Sequence, residues 1–276
     1  MMPEPIVHMT RKVGFSAGHR YWIGSLSEAE NRALFGRWAS PFNHGHNYGL
    51  AVTVAGRVDP LSGMIVNIKD IDEVLQRHIV ARFDQKSLND ETPEFSQNPP
   101  SVENILLQIW HLLDCRLPAE VHLFALRLEE TPLLYGEMDI AHPPTLTRIY
   151  EFAASHRLHV ADLSEEENLR LFGKCNNAAG HGHNYVLEVT VEGKLDPRTG
   201  MSVDLESLDA TVEGEVLQRY DHKNLNVDVP EFQSKTTTSE VVALEIFNRL
   251  QAKVPGVLKR IRLHETARNA FEVSAP

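Results

Sequence analysis

The chain has 276 residues, 42% hydrophobic and 24% charged, with a net charge of −11, which suits a folded chain of two domains and excludes a disordered or collagen-like one. The acidic balance, without a basic patch, argues against a nucleic-acid partner, and no apolar run approaches the ~20 residues of a membrane span. Two cysteines, Cys115 and Cys175, exclude a disulfide scaffold, and with a first segment that lacks the features of a signal peptide they make a cytoplasmic location the expectation.

In chain order, Val7 to Gly18 favours a strand. Ser101 to Leu113 has helical spacing, and Cys115 is expected as a packed residue at its end. Met138 to Pro144 reads as a proline-marked connection, too short for a long flexible linker. Thr145 to His156 is again strand-like. Ser164 to Glu167 is a capping box that opens a short helix to Phe172. His183 to Lys194 alternates, with Tyr185, Leu187, Val189 and Val191 on one face. A turn at 196–200 leads into an expected short strand, Met201 to Asp204. Helical spacing follows over Leu205 to Arg219 and Ser239 to Leu250, then a last strand, Val257 to His264. This order predicts α+β modules, each a four-stranded antiparallel sheet with two helices on one face.

The chain is one module written twice. His44-Gly45-His46-Asn47-Tyr48 recurs as His181-Gly182-His183-Asn184-Tyr185, and 181 − 44 is 137. The same offset carries His19 onto His156, Leu34-Phe35-Gly36 onto Leu171-Phe172-Gly173, and Gly63-Met64 onto Gly200-Met201. A period this long means tandem domains rather than a solenoid of short repeats. The expected modules are 1–139 and 140–276.

In a strand, residues i and i+2 share a face, so His181 and His183 stand side by side. His156, at the end of the preceding strand, can join them by antiparallel pairing. Three histidines on a sheet make a zinc site with an open fourth position, as catalytic sites have. His19, His44 and His46 repeat the pattern, so two such sites are expected.

The second module adds Cys175 shortly before the histidine pair, Asp221-His222 in a polar loop, and Glu265 at the end of the last strand. The run FGKCNNAAGHGHNY, the DPRTGM turn, YDHKNLN, VPEF and the TTSE helix start resemble the 6-pyruvoyl-tetrahydropterin synthase family, in its order, over essentially all of 145–266 and more loosely 6–131. The resemblance implies the tunnelling fold, in which sheets join side by side into a barrel with active sites between modules. It implies conversion of 7,8-dihydroneopterin triphosphate to 6-pyruvoyl-tetrahydropterin with loss of triphosphate. It implies Cys175 as the base for a carbon-bound proton, and Asp221 and His222 as a proton-shuttling pair serving a neighbouring module's cysteine. Glu265 matches the carboxylate that holds the pterin's amino-pyrimidine edge, and Thr238 and Ser239 match residues lining the pterin pocket. Self-association through sheet edges follows, as a trimer of chains or, if the modules alternate differently, a dimer.

The first module departs from this pattern. Subtracting 137 puts Trp38 at the place of Cys175 and Gln85 at that of His222. Neither can titrate as its counterpart does, so this module is expected to keep a metal without the reaction. Two alternatives stand beside the leading reading: a 6-carboxy-tetrahydropterin synthase using the same substrate, and a metal-stabilised pterin-binding scaffold without turnover.

Overall fold

The computed structural model describes residues 5–96 and 98–275. The chain forms two compact units. The first runs through Thr147 and also takes in Glu192–Val203; the second holds Arg148–Val191 and the residues from Asp204 onward. The expected boundary at 139/140 follows the sequence repeat, whereas the contacts assign the 192–203 segment to the first unit.

In the first unit β1 (Val7–His19) pairs antiparallel with β2 (His44–Gly56), which pairs with β4 (Val121–Thr131), and β4 with β5 (Leu134–Asp139). The two-residue β3 (Lys86–Ser87) adds a short parallel contact to β1. The β1–β2 register sets His19 opposite His44 and Phe15 opposite Tyr48. Tyr48, Leu50, Val52 and Val54 alternate along β2 and are all buried, while Phe15 stacks on Tyr48 with centroids 5.0 Å apart. The Val102–Asp114 helix lies against β4 and β5. Its N-cap is Ser101, whose side chain accepts from Asn104 N–H, a contact worth ~1 kcal/mol.

The second unit repeats the plan. Its strands are β6 (Thr145–His156), β7 (His181–Glu192), β9 (Val257–Thr266) and β10 (Asn269–Ser274), in the order β10-β9-β7-β6, with the two-residue β8 (Lys223–Asn224) parallel to β6. Phe152 stacks on Tyr185, again at 5.0 Å. The capping box at Ser164 is present, with Glu167 bonded back to the Ser164 N–H, as is its counterpart Ser27–Glu30. The Ser239–Leu250 helix lies against β9 and β10.

The expected helix over 205–219 is interrupted. Leu205–Val212 passes into a five-residue π segment, Glu213–Leu217, before Gln218–Tyr220. In the first unit, Ile68–Leu75 passes into Gln76–Val80 in the same way. Ile79 and Val216, both fully buried, pin the two π segments to their cores.

Three expectations are corrected. Met201 to Asp204 is not a strand: the Ser202 N–H turns away to donate to Glu103. The fourth main strand of the second unit is instead β10, whose short Asn269–Ser274 run pairs back on β9. Cys115 is exposed, because it falls at the C-cap where the helix ends. No helix among the described residues is long and apolar enough to cross a membrane.

Candidate metal centre and active site

Two clusters of three histidines stand at the strand ends, as the i, i+2 spacing requires. In each of the sets His19, His44, His46 and His156, His181, His183, one ligand atom per residue lies within 4.8 Å of the other two. Buried carbonyls orient the innermost rings. His156 Nδ1 bonds Thr237 O at 2.7 Å, and His19 Nδ1 bonds Pro100 O at 2.9 Å. With Nδ1–H donating to a carbonyl, Nε2 keeps its lone pair for a ligand.

Those lone pairs lack protein partners. His156 Nε2, His181 Nδ1 and His183 Nε2 are buried without a hydrogen bond, as are His19 Nε2 and His46 Nε2. Leaving such atoms unpaired costs about 1–3 kcal/mol each. Protonation does not relieve that cost. Burial first, then the neighbouring His44 charge, depresses His19 to about 3, and burial, then His44, depresses His46 to about 4. Burial is also the first cause lowering His156 and His181. Neutral imidazoles converging in this way fit a divalent metal ion.

A carboxylate adjoins each cluster. Glu265 Oε1 lies 3.9 Å from His156 Nε2 and 3.8 Å from His183 Nε2. Glu130 lies 3.9 Å from His19 Nε2 and 3.7 Å from His46 Nε2. Burial raises the Glu265 pKa. Hydrogen bonds from the Ser239 hydroxyl (2.6 Å) and Asn269 Nδ2 (3.2 Å), with the adjacent imidazoles, more than offset it and hold the carboxyl below its ordinary value. In the first unit, Val102 stands where Ser239 stands and offers no hydroxyl.

The other expected residues are distributed as follows. Thr238 is the N-cap of the Ser239–Leu250 helix, its side chain accepting from Val241 N–H. Cys175 sits on the 3-10 turn Gly173–Asn176, tied by its carbonyl to the Leu158 N–H at 3.0 Å. It is outside the histidine cluster. Asp221 Oδ2 pairs with His222 Nδ1 at 2.9 Å, while Oδ1 takes the Ala153 N–H at 2.8 Å, so β6 fixes the carboxylate that orients the imidazole. His222 is 83% exposed and lines an open groove with Ser155, Gly182 and Asn184.

The chain belongs to the 6-pyruvoyl tetrahydropterin synthase family. The profile of that family matches residues 8–139 and again 145–276. The 6-pyruvoyl tetrahydrobiopterin synthase of Homo sapiens is 50% identical over 125 residues, which are 45% of this chain and 86% of the human protein. The Drosophila melanogaster enzyme of the same name is 46% identical over 133 residues, 48% of this chain and 79% of that one. The solved Caenorhabditis elegans 6-pyruvoyl tetrahydropterin synthase has 42% identity and a TM-score of 0.46, covering 48% of this chain and 95% of that structure. The chain is therefore an enzyme of this synthase type, α+β, with the tunnelling fold in tandem.

Within the family pattern, the first unit keeps the backbone geometry of the Asp221-His222 loop with different side chains. Gln85 and His222 share a left-handed conformation, with φ of 58° and 57°. Their N–H groups donate at 2.6 Å to Ser16 O and Ala153 O. Asp84 receives the Ser16 N–H at 2.8 Å, as Asp221 receives that of Ala153. A carboxamide, Gln85, stands in place of the imidazole. Trp38, at the place of Cys175, packs on the buried Tyr21, Phe35 and Ala39.

Sequence reasoning missed the Pro100 and Thr237 carbonyls, which lie 81 residues from the histidines they orient. It also gave no role to Tyr185. This ring is fully buried, 5.6 Å from His183, and its hydroxyl is held protonated by burial and the Glu265 charge. The repeated HGHNY motif was the available signal.

Proposed function

We propose that this chain converts 7,8-dihydroneopterin triphosphate to 6-pyruvoyl-tetrahydropterin, eliminating triphosphate, at the site built on its second repeat, with zinc as the ion. The observation that carries the reading is the convergence of three unpartnered imidazole nitrogens beside the Glu265 carboxylate. His156, His181 and His183 hold the ion, the first oriented by Thr237 O. Bound zinc supplies Lewis-acid stabilisation for charge developing on the substrate's side-chain oxygens.

The remaining work falls to the chain's own groups. Cys175, as thiolate, accepts a proton from side-chain carbon. His222, oriented by Asp221, passes a proton to or from a side-chain hydroxyl, and by family analogy this pair serves the cysteine of a neighbouring module. Glu265 receives the amino-pyrimidine edge of the pterin, with Asn269 giving way at Oε2, and Thr238 and Ser239 line that pocket. The module over 1–139 holds a second ion in a structural or ligand-binding role, lacking base and shuttle. Three chains supply the family's six modules, three to each of two stacked layers, or two chains assemble if the modules alternate differently.

The test is incubation of the zinc-loaded protein with 7,8-dihydroneopterin triphosphate and identification of products by mass. The pyruvoyl product with inorganic triphosphate is expected. A 6-carboxy product would move the chain to the sister reaction, and unchanged substrate would leave a binding scaffold.

A further inference from the structure

The carboxylates that adjoin the two histidine clusters face them differently. Glu130 turns one oxygen to each of two rings: Oε2 lies 3.9 Å from His19 Nε2, and Oε1 lies 3.7 Å from His46 Nε2. Glu265 turns the same oxygen, Oε1, to both His156 and His183, at 3.9 and 3.8 Å. Its Oε2 accepts instead from Asn269 Nδ2 at 3.2 Å.

Local residues account for the difference. The Ser239 hydroxyl donates to Glu265 Oε1 at 2.6 Å, so the oxygen nearest the imidazoles is already engaged. With Asn269 on Oε2, this carboxylate is held at both ends. At offset 137 Ser239 becomes Val102, and at offset 135, which relates Glu265 to Glu130, Asn269 becomes Leu134. Neither of those side chains can donate a hydrogen bond.

The walls of the clusters differ as well. The Tyr21 ring, 4% exposed, stands with its centroid 5.0 Å from that of His19 and 6.4 Å from that of His44. Phe35, Ala39 and Trp38 pack with it. At the matching place the second repeat has Leu158, which is only half-buried. Glu130 is 7% exposed against 17% for Glu265. A carboxylate buried to that degree is poorly solvated, and a divalent cation offsets that cost.

We infer that Glu130 is the fourth ligand of the first ion, which closes that site, whereas Ser239 and Asn269 hold Glu265 off the second ion and keep its fourth position open. Two ligands of a tetrahedral zinc ion, each at ~2.0–2.1 Å, stand about 3.3 Å apart, so both Glu130 oxygens lie about half an ångström outside that spacing. Glu130 is not within the three-histidine group itself, and a swing about its side-chain torsions closes the gap. The inference rests on the reading that each cluster binds a metal ion, and for the first it selects the structural role. That site is then inactive for a second reason: besides lacking base and shuttle, it has no position left for a substrate oxygen.

The full chain loaded with cobalt(II), whose visible absorption reports its coordination, tests this with azide, a small anion that occupies an open position. In the wild type, azide is expected to perturb one of the two ions. The His181→Ala chain, which keeps the first cluster, should stay silent, and the His44→Ala chain, which keeps the second, should respond. His44 is exposed, so silence at the first cluster reports a filled position rather than a blocked path. In the His181→Ala background, Glu130→Gln should make the cobalt respond and weaken zinc binding at least ~10-fold in competition with a chelator. An azide response at the first cluster with Glu130 intact, a silent His44→Ala chain, or zinc binding unchanged by Glu130→Gln overturns the inference, while two ions per wild-type chain leave the metal reading standing. A His181→Ala chain that takes up no cobalt overturns both.

Discussion

The two histidine clusters share nearly every ligand-orienting feature and differ in what surrounds them. Both inner rings donate to a buried carbonyl, both carry an adjoining carboxylate, and both sit at the same strand register. At matching positions the second repeat carries Cys175, His222 and Ser239, and the first carries Trp38, Gln85 and Val102. The histidine cluster of each module is thus set by strand register and one backbone carbonyl, and the proposed reaction asks in addition for three side chains on loops and a helix start that only the second repeat carries.

The largest effect should come from the metal ligands. His181→Ala should remove one ion per chain, by elemental analysis, and abolish turnover. His44→Ala should also remove one ion but lower the melting temperature instead, since losing a ligand held at 1,000-fold above its Kd forfeits about 4 kcal/mol. If a folded, assembled His44→Ala protein were as inactive as His181→Ala, the division of labour would collapse. Next, Cys175→Ala should lower kcat by roughly 10²–10⁴-fold, the range for a general base, with metal content unchanged; full activity would assign the base elsewhere.

Ser239→Val, which imports the first repeat's residue, sharpens the comparison further. It removes the 2.6 Å bond to Glu265, and the carboxyl pKa should rise. The expected loss is about tenfold in kcat/KM, on the scale of one charged hydrogen bond, and wild-type kinetics would show that the hydroxyl does nothing for the site. The last prediction is on pH dependence. His19 and His46 are depressed below their ordinary 6.5, to about 3 and about 4. Between 6.5 and those values the unfolded chain binds more protons, so metal-free protein should lose stability as pH falls through that window. Denaturant melts at pH 7 and pH 5 should show this, and the loss should shrink in His44→Ala, which removes a charged neighbour of both rings. A flat profile would mean the rings are solvated.

Much of this was legible in the sequence because strands write their faces with period two. The 145–156 strand and the buried face of Tyr185, Leu187, Val189 and Val191 follow from alternation alone. The triads follow from His-Gly-His plus one pairing. What stayed hidden depends on partners far along the chain. Met201 to Asp204 has strand-like residues, but Glu103, 99 residues away, captures its backbone. The Pro100 and Thr237 carbonyls carry no side-chain signature, and β10 is too short to announce itself beside a polar turn. The π segments were invisible for a different reason: a helical apolar period does not record one extra residue per turn.

Those π segments also keep time. Gln76–Val80 and Glu213–Leu217 share no residue at matching positions, QRHIV against EGEVL, yet each begins at the same place, 137 apart. A backbone irregularity found twice at one address is most simply inherited by both copies, so it predates the doubling of the gene. The tryptophan and glutamine at 38 and 85 are found in one copy only and, against the family pattern, belong to the period after it. The chain thus carries its own relative chronology: the π segment first, the second copy next, and the Trp38 and Gln85 replacements last.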